Sequence, residues 1–411
     1  MAERGKKMSV VMLRKNPHAL DDKGLAGDAR RAGRTADLER QIERMFVRLR
    51  LAVVYGGDKR VEGAVIEPTG NPRSWKSYEA VARDIAAAMV RQGCKTVSLI
   101  PDDMRLGEAM REQDIHLAWL NTGGVQGHCS VAHAPSMMEL FGIPYIGHDP
   151  MMAGILDSKH VFKRQLRSAG LPTASFAIVL PEDSRYEPET DPVFLRAFGD
   201  HPGPFIVKPV SGRASLNVLF VGKREELGRA VGEVYGKTKN YILVEQYLSG
   251  AEYCIAIGGP VVCRGGHLER QDRPFVFSPL QRVLEKDEKI FTSMDLKPIS
   301  GERARLLDRP DDLPVRRALT DLALQVFTQL GIETLVRLDV RADHEGKLHV
   351  LEANPKPDLK APSEGVTSLV SMGLGEFGMS YDDLIMSIFA DRVDALLSQR
   401  RGSADRLARL I

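Results

Sequence analysis

Leu335-Val336-Arg337-Leu338-Asp339-Val340 and, a turn later, Val350-Leu351-Glu352-Ala353-Asn354-Pro355 are the two stretches that decide how this chain folds. Each is an apolar run broken at every second position by a charged or amide side chain. Side chains alternate faces along a strand, so Arg337 and Asp339 share one face of the first, and Glu352 and Asn354 share one face of the second. The intervening Asp343-His344-Glu345-Gly346 reads as the turn of a hairpin between strands Leu335 to Arg341 and Leu348 to Ala353. Closing that hairpin brings Asp339, Glu352 and Asn354 together, two carboxylates and an amide oxygen. Hard oxygen donors of this kind suit Mg²⁺ (or Mn²⁺), which takes a few protein oxygens and completes its shell with phosphate and water. The plainer possibility is a solvated face on which Arg337 pairs with Asp339.

Three further stretches have the chemistry of a nucleotide site. Phe205-Ile206-Val207-Lys208-Pro209, followed by Ser211-Gly212-Arg213-Ala214-Ser215, is an apolar strand that delivers a lysine beside a small-residue loop. That arrangement sets one cation and several backbone N–H groups around phosphate oxygens. It is not a P-loop, because the GxxxxGK(S/T) spacing is absent. Val244-Glu245-Gln246-Tyr247-Leu248-Ser249-Gly250-Ala251-Glu252 is a strand end whose backbone groups can meet an adenine edge, with Glu245 or Glu252 accepting from ribose hydroxyls. Lys159, on a helix, can reach a phosphate. Each also has an ordinary reading: a lysine after a buried strand, exposed acids around a turn, a solvated helical lysine.

Outward from these stretches the chain divides into four parts. Residues 1–48 are rich in Arg, Lys, Asp and Gly, with a helical pattern only from Thr35 to Leu49, and read as a solvated extension or an oligomer contact. Residues 49–156 alternate strands (Leu51 to Tyr55, Thr96 to Ile100, His116 to Leu120, Tyr145-Ile146) with helices (Ser77 to Gln92, Pro135 to Phe141), which predicts a parallel sheet covered by helices. Residues 157–249 predict a small α+β unit: helix Ser158 to Ala169, a polar loop Pro181 to Asp191, helix Arg224 to Tyr235, and strands Ala174 to Val179, Phe205 to Lys208, Leu216 to Val221 and Tyr241 to Glu245. Residues 250–411 hold a charged region, Arg264 to Pro314, expected to be irregular, then helix Val315 to Leu330, the hairpin and an amphipathic helix from Tyr381 to about Leu397.

Composition narrows the function classes. With 43% hydrophobic and 27% charged residues and a net charge of +2, nothing calls for a nucleic-acid or membrane partner. No apolar run is long enough for a membrane span or a signal peptide. Four cysteines without a CxxC pair argue against a zinc site or a disulfide framework and fit a reducing cytoplasm.

In their order and spacing, these signals resemble the D-alanine–D-alanine ligase branch of the ATP-grasp superfamily. The resemblance runs from about Leu51 to Phe389. It rests on Leu140-Phe141-Gly142-Ile143-Pro144-Tyr145-Ile146-Gly147, Asp157-Ser158-Lys159, Ile206-Val207-Lys208-Pro209, the Val244 to Glu252 stretch, Arg337-Leu338-Asp339 and Leu351-Glu352-Ala353-Asn354-Pro355. It implies a three-domain α/β ATP-grasp fold: an N-terminal parallel α/β domain, a small α+β lid and a C-terminal α+β domain, preceded here by an extension. It also implies an ATP-dependent ligase that activates a carboxylate as an acyl phosphate and joins it to an amine, in the cytoplasm and as a homodimer. By the same resemblance Lys159 and Lys208 hold ATP phosphates, with Ser215 in the phosphate loop. Glu245, Gln246, Tyr247, Leu248 and Glu252 meet adenine and ribose, and Leu351 lies under the base. Asp339, Glu352 and Asn354 bind Mg²⁺, and Arg337 steadies the acyl phosphate and the tetrahedral intermediate. Arg282, Ser368 and Leu369 are candidate substrate contacts. The Gly212 to Ser215 loop and the segment Arg264 to Lys289 are the expected covers of the site.

The chain also departs from that family's pattern. After Gly56-Gly57 it reads Asp58-Lys59-Arg60-Val61-Glu62, and further on Asn121-Thr122-Gly123-Gly124-Val125-Gln126-Gly127-His128; after Asn354 come Pro355-Lys356-Pro357-Asp358. These are substrate-recognition positions, so the expected substrates differ from D-alanine and are larger or anionic. His128 and His133 are read as structural. A non-catalytic nucleotide-binding protein of the same fold is the alternative. The retained Arg337, Asp339, Glu352 and Asn354 argue against it. A dehydrogenase is disfavoured because Gly56-Gly57 is not GxGxxG.

Overall fold

The structure is a computed structural model that describes residues 33–57, 78–127, 129–180, 186–212, 215–285, 288–290, 303–363, 368–399 and 404–411. Residues 1–32 of the expected extension, His128, Arg213, Ala214 and Lys286 lie outside them. The expected parallel sheet is present: β1 (Arg50–Gly56), β2 (Thr96–Asp102), β3 (Leu117–Asn121) and β4 (Tyr145–Ile146) pair in the order β2-β1-β3-β4, all parallel. Leu51, Ala52, Val53 and Val54 are all buried, as a strand with helices on both faces requires. Helices α2 (Glu79–Arg91), α3 (Leu106–Glu112) and α4 (His133–Phe141) cover it.

The first described helix, α1 (residues 33–46), corrects the reading of residues 1–48. Leu38, Ile42, Met45 and Phe46, spaced at three and four residues, are buried in the same apolar cluster as α2 and β1, and Glu39 Oε1 accepts a hydrogen bond from the Leu268 amide at 2.8 Å. The periodicity seen in the sequence is therefore a core face, and this part of the segment belongs to the globule.

Two helices lead to the second sheet, α5 (Pro150–Asp157) and α6 (Lys159–Ser168). Asp149 caps α5 by accepting from the Met152 amide at 2.9 Å, with Pro150 at the first helical position. The second sheet is antiparallel throughout, β5 (Phe176–Val179), β8 (Ile242–Gln246), β6 (Phe205–Pro209) and β7 (Leu219–Val221) in that spatial order. Helices α7 (Pro192–Phe198) and α8 (Leu227–Thr238) pack on one face through Phe194, Val231, Val234, Phe205, Val207 and Val244. Alternation along β6 and β8 sends Lys208 and Glu245 to the other face.

The third sheet is antiparallel, ordered β13 (Ala304–Leu306), β12 (Phe275–Arg282), β9 (Glu252–Gly258), β14 (Val336–Ala342), β15 (Leu348–Asn354). The expectation of irregular chain from Arg264 to Pro314 fails here: that region contains β12, β13 and most of a hairpin, β10 (Val261–Arg264) with β11 (His267–Arg270). The alternation that would have announced β12 is broken at Ser278-Pro279, where the pairing with β9 slips between Phe277 and Leu280 and Ser278 takes a φ of 48°. Helix α9 (Leu313–Gln329) covers the back of the sheet, meeting Val336, Leu338 and Val340 with Leu319, Leu322, Ala323 and Val326. Helix α10 (Tyr381–Gln399) brackets the first and third sheets, its Arg392 donating from Nε to the Tyr145 carbonyl at 3.0 Å and from a terminal nitrogen to Glu333 at 3.1 Å; α11 (Ala404–Ala408) follows.

Candidate active site

Between the open face of the second sheet and the front of the third lies a cleft of about 810 Å³, its mouth included. Strand register builds its floor in rows. Arg282 of β12, Glu252 of β9 and Arg341 of β14 stand side by side in the first row. Leu280, Cys254, Asp339 and Glu352 form the next, and Ala256, Arg337 and Asn354 the third. The predicted hairpin thus sets Asp339 directly opposite Glu352, and Arg337 opposite Asn354. The pairing slips between Asp339 and Val340, leaving Leu351 as the extra residue of a β-bulge. Through it Leu351 and Glu352, neighbours in sequence, both line the cleft.

Asp339 is 3% exposed and heavily partnered. Arg337 reaches its two oxygens with Nε and a terminal nitrogen at 2.9 and 3.1 Å, Arg282 donates at 3.1 Å, and the Asn354 amide at 3.3 Å. Burial alone would raise its carboxyl; Arg282 and Arg337 reverse this and hold it below the usual carboxylate range. The Arg337–Asp339 pair foreseen as a surface feature is real, but it is buried. Glu252 is also paired, with Arg282 at 2.8 Å and Arg341 at 3.4 Å. Glu352 is the open carboxylate: its side chain is 31% exposed, with Lys159 Nζ 3.4 Å away.

The roof carries the lysines. Lys159, at the start of α6, donates from Nζ to the Gly212 carbonyl at 2.7 Å, tying the helix to the loop that leads to Ser215. Lys208 Nζ lies 2.5 Å from Glu245 Oε2, while Lys163 Nζ lies 2.8 Å from Glu245 Oε1. Burial disfavours charge at Glu245, yet the two lysines draw its pKa down to about 2. Its ion pairs therefore add stability in full above its ordinary value near 4.3, and that stability is lost as the pH falls toward the folded value. The two ammonium groups move in opposite directions. Burial lowers Lys163, which also faces a second ammonium, whereas the carboxylates Glu245, Glu352 and Glu252 outweigh burial at Lys208 and raise it.

Lys159, Lys208, Ser215, Glu245, Gln246, Tyr247, Leu248, Glu252, Leu351, Glu352, Asp339 and Arg282 all line this cleft; Arg337 and Asn354 bond to Asp339 from the next row of the sheet and are not in the lining. Two expected substrate contacts also lie outside it. Leu369 is 1% exposed in an apolar cluster with Cys254, Leu280 and Ala304, so its side chain is core; the Ser368 hydroxyl donates to that of Ser371 at 3.0 Å. Two basic residues expected in a cover lie elsewhere: Arg264 donates to the Phe377 carbonyl at 3.0 Å and Arg270 to Asp394 at 2.6 Å. Sequence reading also missed two cations. Arg341 lines the cleft, its guanidinium carbon 4.7 Å from the Tyr247 ring centroid and a terminal nitrogen 2.9 Å from the phenol oxygen. It shares a strand face with Arg337 and Asp339, which was the available signal. Lys163, four residues after Lys159 on one helix face, carried the same kind of signal.

An arrangement with six buried or half-buried cations (Lys159, Lys163, Lys208, Arg282, Arg337, Arg341) around four carboxylates is suited to a polyanion such as a triphosphate. Among the described residues no three His, Cys, Asp or Glu side chains converge as a metal site. The donor set that fits Mg²⁺ is smaller: Asp339 and Glu352 in register across two strands, with the Asn354 amide, which presents its oxygen after a flip.

A family model described as the D-ala D-ala ligase C-terminus matches residues 165–390. The D-alanine–D-alanine ligase of Pseudomonas putida (strain GB-1) is 27% identical over 349 residues, 84% of this chain and 93% of that protein. Among solved structures, the D-alanine–D-alanine ligase of Bacillus anthracis complexed with ATP superposes with a TM-score of 0.59 at 18% identity, over 85% of this chain and 99% of that one. The VanG D-Ala:D-Ser ligase of Enterococcus faecalis gives 0.57 at 14% identity, over 84% and 99%. At these identities the structures establish a shared fold.

Proposed function

The chain belongs to the D-alanine–D-alanine ligase family of ATP-grasp enzymes, and from that premise we propose that it joins a carboxylate to an amine through an acyl phosphate, at the expense of ATP. The observation that carries the proposal is the opposition of Lys159 and Lys208, on the roof, to the Asp339–Glu352 pair in the floor of one cleft.

In this reading the backbone from Glu245 to Leu248, with Leu351, holds the adenine end, Glu252 the ribose, and Lys159, Lys208 and the loop at Ser215 the phosphates, while the Glu245 side chain stays with Lys163 and Lys208. Asp339, Glu352 and Asn354 would hold Mg²⁺, which when bound neutralises phosphate oxygens during transfer. The γ-phosphoryl group passes to the substrate carboxylate and ADP departs. The amine then attacks the acyl carbon, loses a proton, and phosphate leaves. Arg337, fixed by two hydrogen bonds to Asp339, stabilises the oxyanion of that addition. Closure of the second sheet (in residues 157–249) over the third (in residues 250–411) would keep water from the acyl phosphate. The altered segments after Gly57, Asn121 and Asn354 support substrates other than D-alanine.

The test is ADP and phosphate release with Mg²⁺ across a panel of amino acids and amines. Release that depends on one acid and one amine together is expected. ATP that binds and is never consumed across the panel would favour the non-catalytic alternative.

A further inference from the structure

We infer that Lys163, a buried lysine of α6 outside the cleft wall, is a positioning residue for the nucleotide: it takes up the charge of Glu245 so that Lys208 meets phosphate with its own charge uncompensated. The inference rests on the reading of Lys208 as a phosphate-holding lysine. Lys163 has no exposed surface, and its Nζ lies 2.8 Å from Glu245 Oε1 and 2.6 Å from Thr173 Oγ1. The Thr173 hydroxyl donates in turn to the Val350 carbonyl at 2.8 Å, so its oxygen is left to accept from the ammonium. Val350 immediately precedes the bulged Leu351 and the open carboxylate Glu352. One side chain thereby joins α6, the roof strand that carries Glu245 and the floor strand that carries Glu352.

Charge counting explains why a lysine is needed there. Two ammonium groups share one fully buried carboxylate, so the trio carries one net positive charge beside the cleft. Without Lys163, Lys208 and Glu245 would form a neutral pair, and of the roof lysines that line the cleft Lys159 alone would face the phosphates with its charge not cancelled by Glu245. Stability alone does not account for the lysine, since a buried ion pair is commonly matched by an apolar side chain of similar volume. Methionine at position 163 would leave Glu245 paired with Lys208 and Thr173 bonded to Val350, so no charge is stranded and the fold is expected to persist.

Calorimetric titration of MgATP into the wild-type protein, Lys163→Met, Lys208→Met and Lys163→Met/Glu245→Gln tests this. The single Lys163 variant should bind about tenfold more weakly or worse, the scale of one charge lost several ångströms from a triphosphate. The double variant again carries one net positive charge and should recover most of that loss, a non-additivity that a packing role would not produce. Unchanged affinity in Lys163→Met, or a loss that the second substitution does not relieve, overturns the inference. If Lys208→Met itself binds MgATP normally, it is the phosphate reading of Lys208 that fails. Should Lys163→Met not fold, Lys163→Gln, which can still bond Thr173, has the same expected outcome.

Discussion

Asparagine in place of Asp339 is expected to lower turnover on the order of 10³-fold, the scale of losing one fixed electrostatic element that acts on the transition state. The side chain keeps its shape and loses its charge, and that charge organises the floor. Arg282, Arg337 and Asn354 all donate to Asp339; Arg282 has a second acceptor in Glu252 at 2.8 Å, whereas both of the Arg337 hydrogen bonds go to Asp339. The substitution therefore removes a proposed Mg²⁺ ligand and also frees the arginine proposed to hold the oxyanion. It should cost about 3–5 kcal/mol of stability as well, because the buried Arg337 loses its counter-ion and Arg282 loses one of its two. Urea unfolding separates the two effects: turnover measured where the variant is still folded should remain depressed. The wild-type carboxyl is held below its ordinary value, so its stabilising contribution is complete above about pH 4 and is lost only as the pH falls through the lower folded value. The pH–rate profile between 5 and 8 should accordingly show no step from Asp339.

Arg337→Met should reduce kcat by about 10²–10³ with little change in the KM for ATP, since its proposed role is confined to the charge that develops at the acyl carbon. Asp339 would keep Arg282 and Asn354 as partners, so the fold is expected to survive. Lysine at this position should recover only part of the activity. The native side chain engages both oxygens of Asp339 through Nε and a terminal nitrogen, a fork that an ammonium cannot reproduce. Steady-state kinetics with ATP varied at saturating acid and amine would check both variants. An equal rise in the KM for ATP would instead place Arg337 at the nucleotide.

The hairpin that decides the fold was legible because polar side chains alternate on each strand near the site (Arg337 and Asp339, Glu352 and Asn354) and Gly346 closes the turn at a φ of 84°. The parallel sheet was legible for a similar reason, in that Gly142 ends α4 with a left-handed residue and a two-residue strand follows. What escaped has local causes. At Ser278-Pro279 the strand alternation fails, and β12 was hidden, although Arg282 at its end sits in the floor. The bulge at Leu351 is set by pairing with β14, a long-range fact that periodicity does not contain. The amphipathic face of α1 was visible, but its partners include α2 and α10, which lie far along the chain. Lys163 and Arg341 were not singled out because a sequence shows charge without burial. Both nevertheless repeat the face of a neighbouring site residue, Lys159 in one case and Asp339 in the other.

The most direct measurement is a crystal structure grown with Mn²⁺ and a non-hydrolysable ATP analogue, with the metal located by its anomalous scattering. The metal peak should lie within coordination distance of oxygens from both Asp339 and Glu352 and touch the triphosphate, with Lys159 and Lys208 on its far side. A nucleotide bound elsewhere, or a metal that contacts neither carboxylate, would contradict the account.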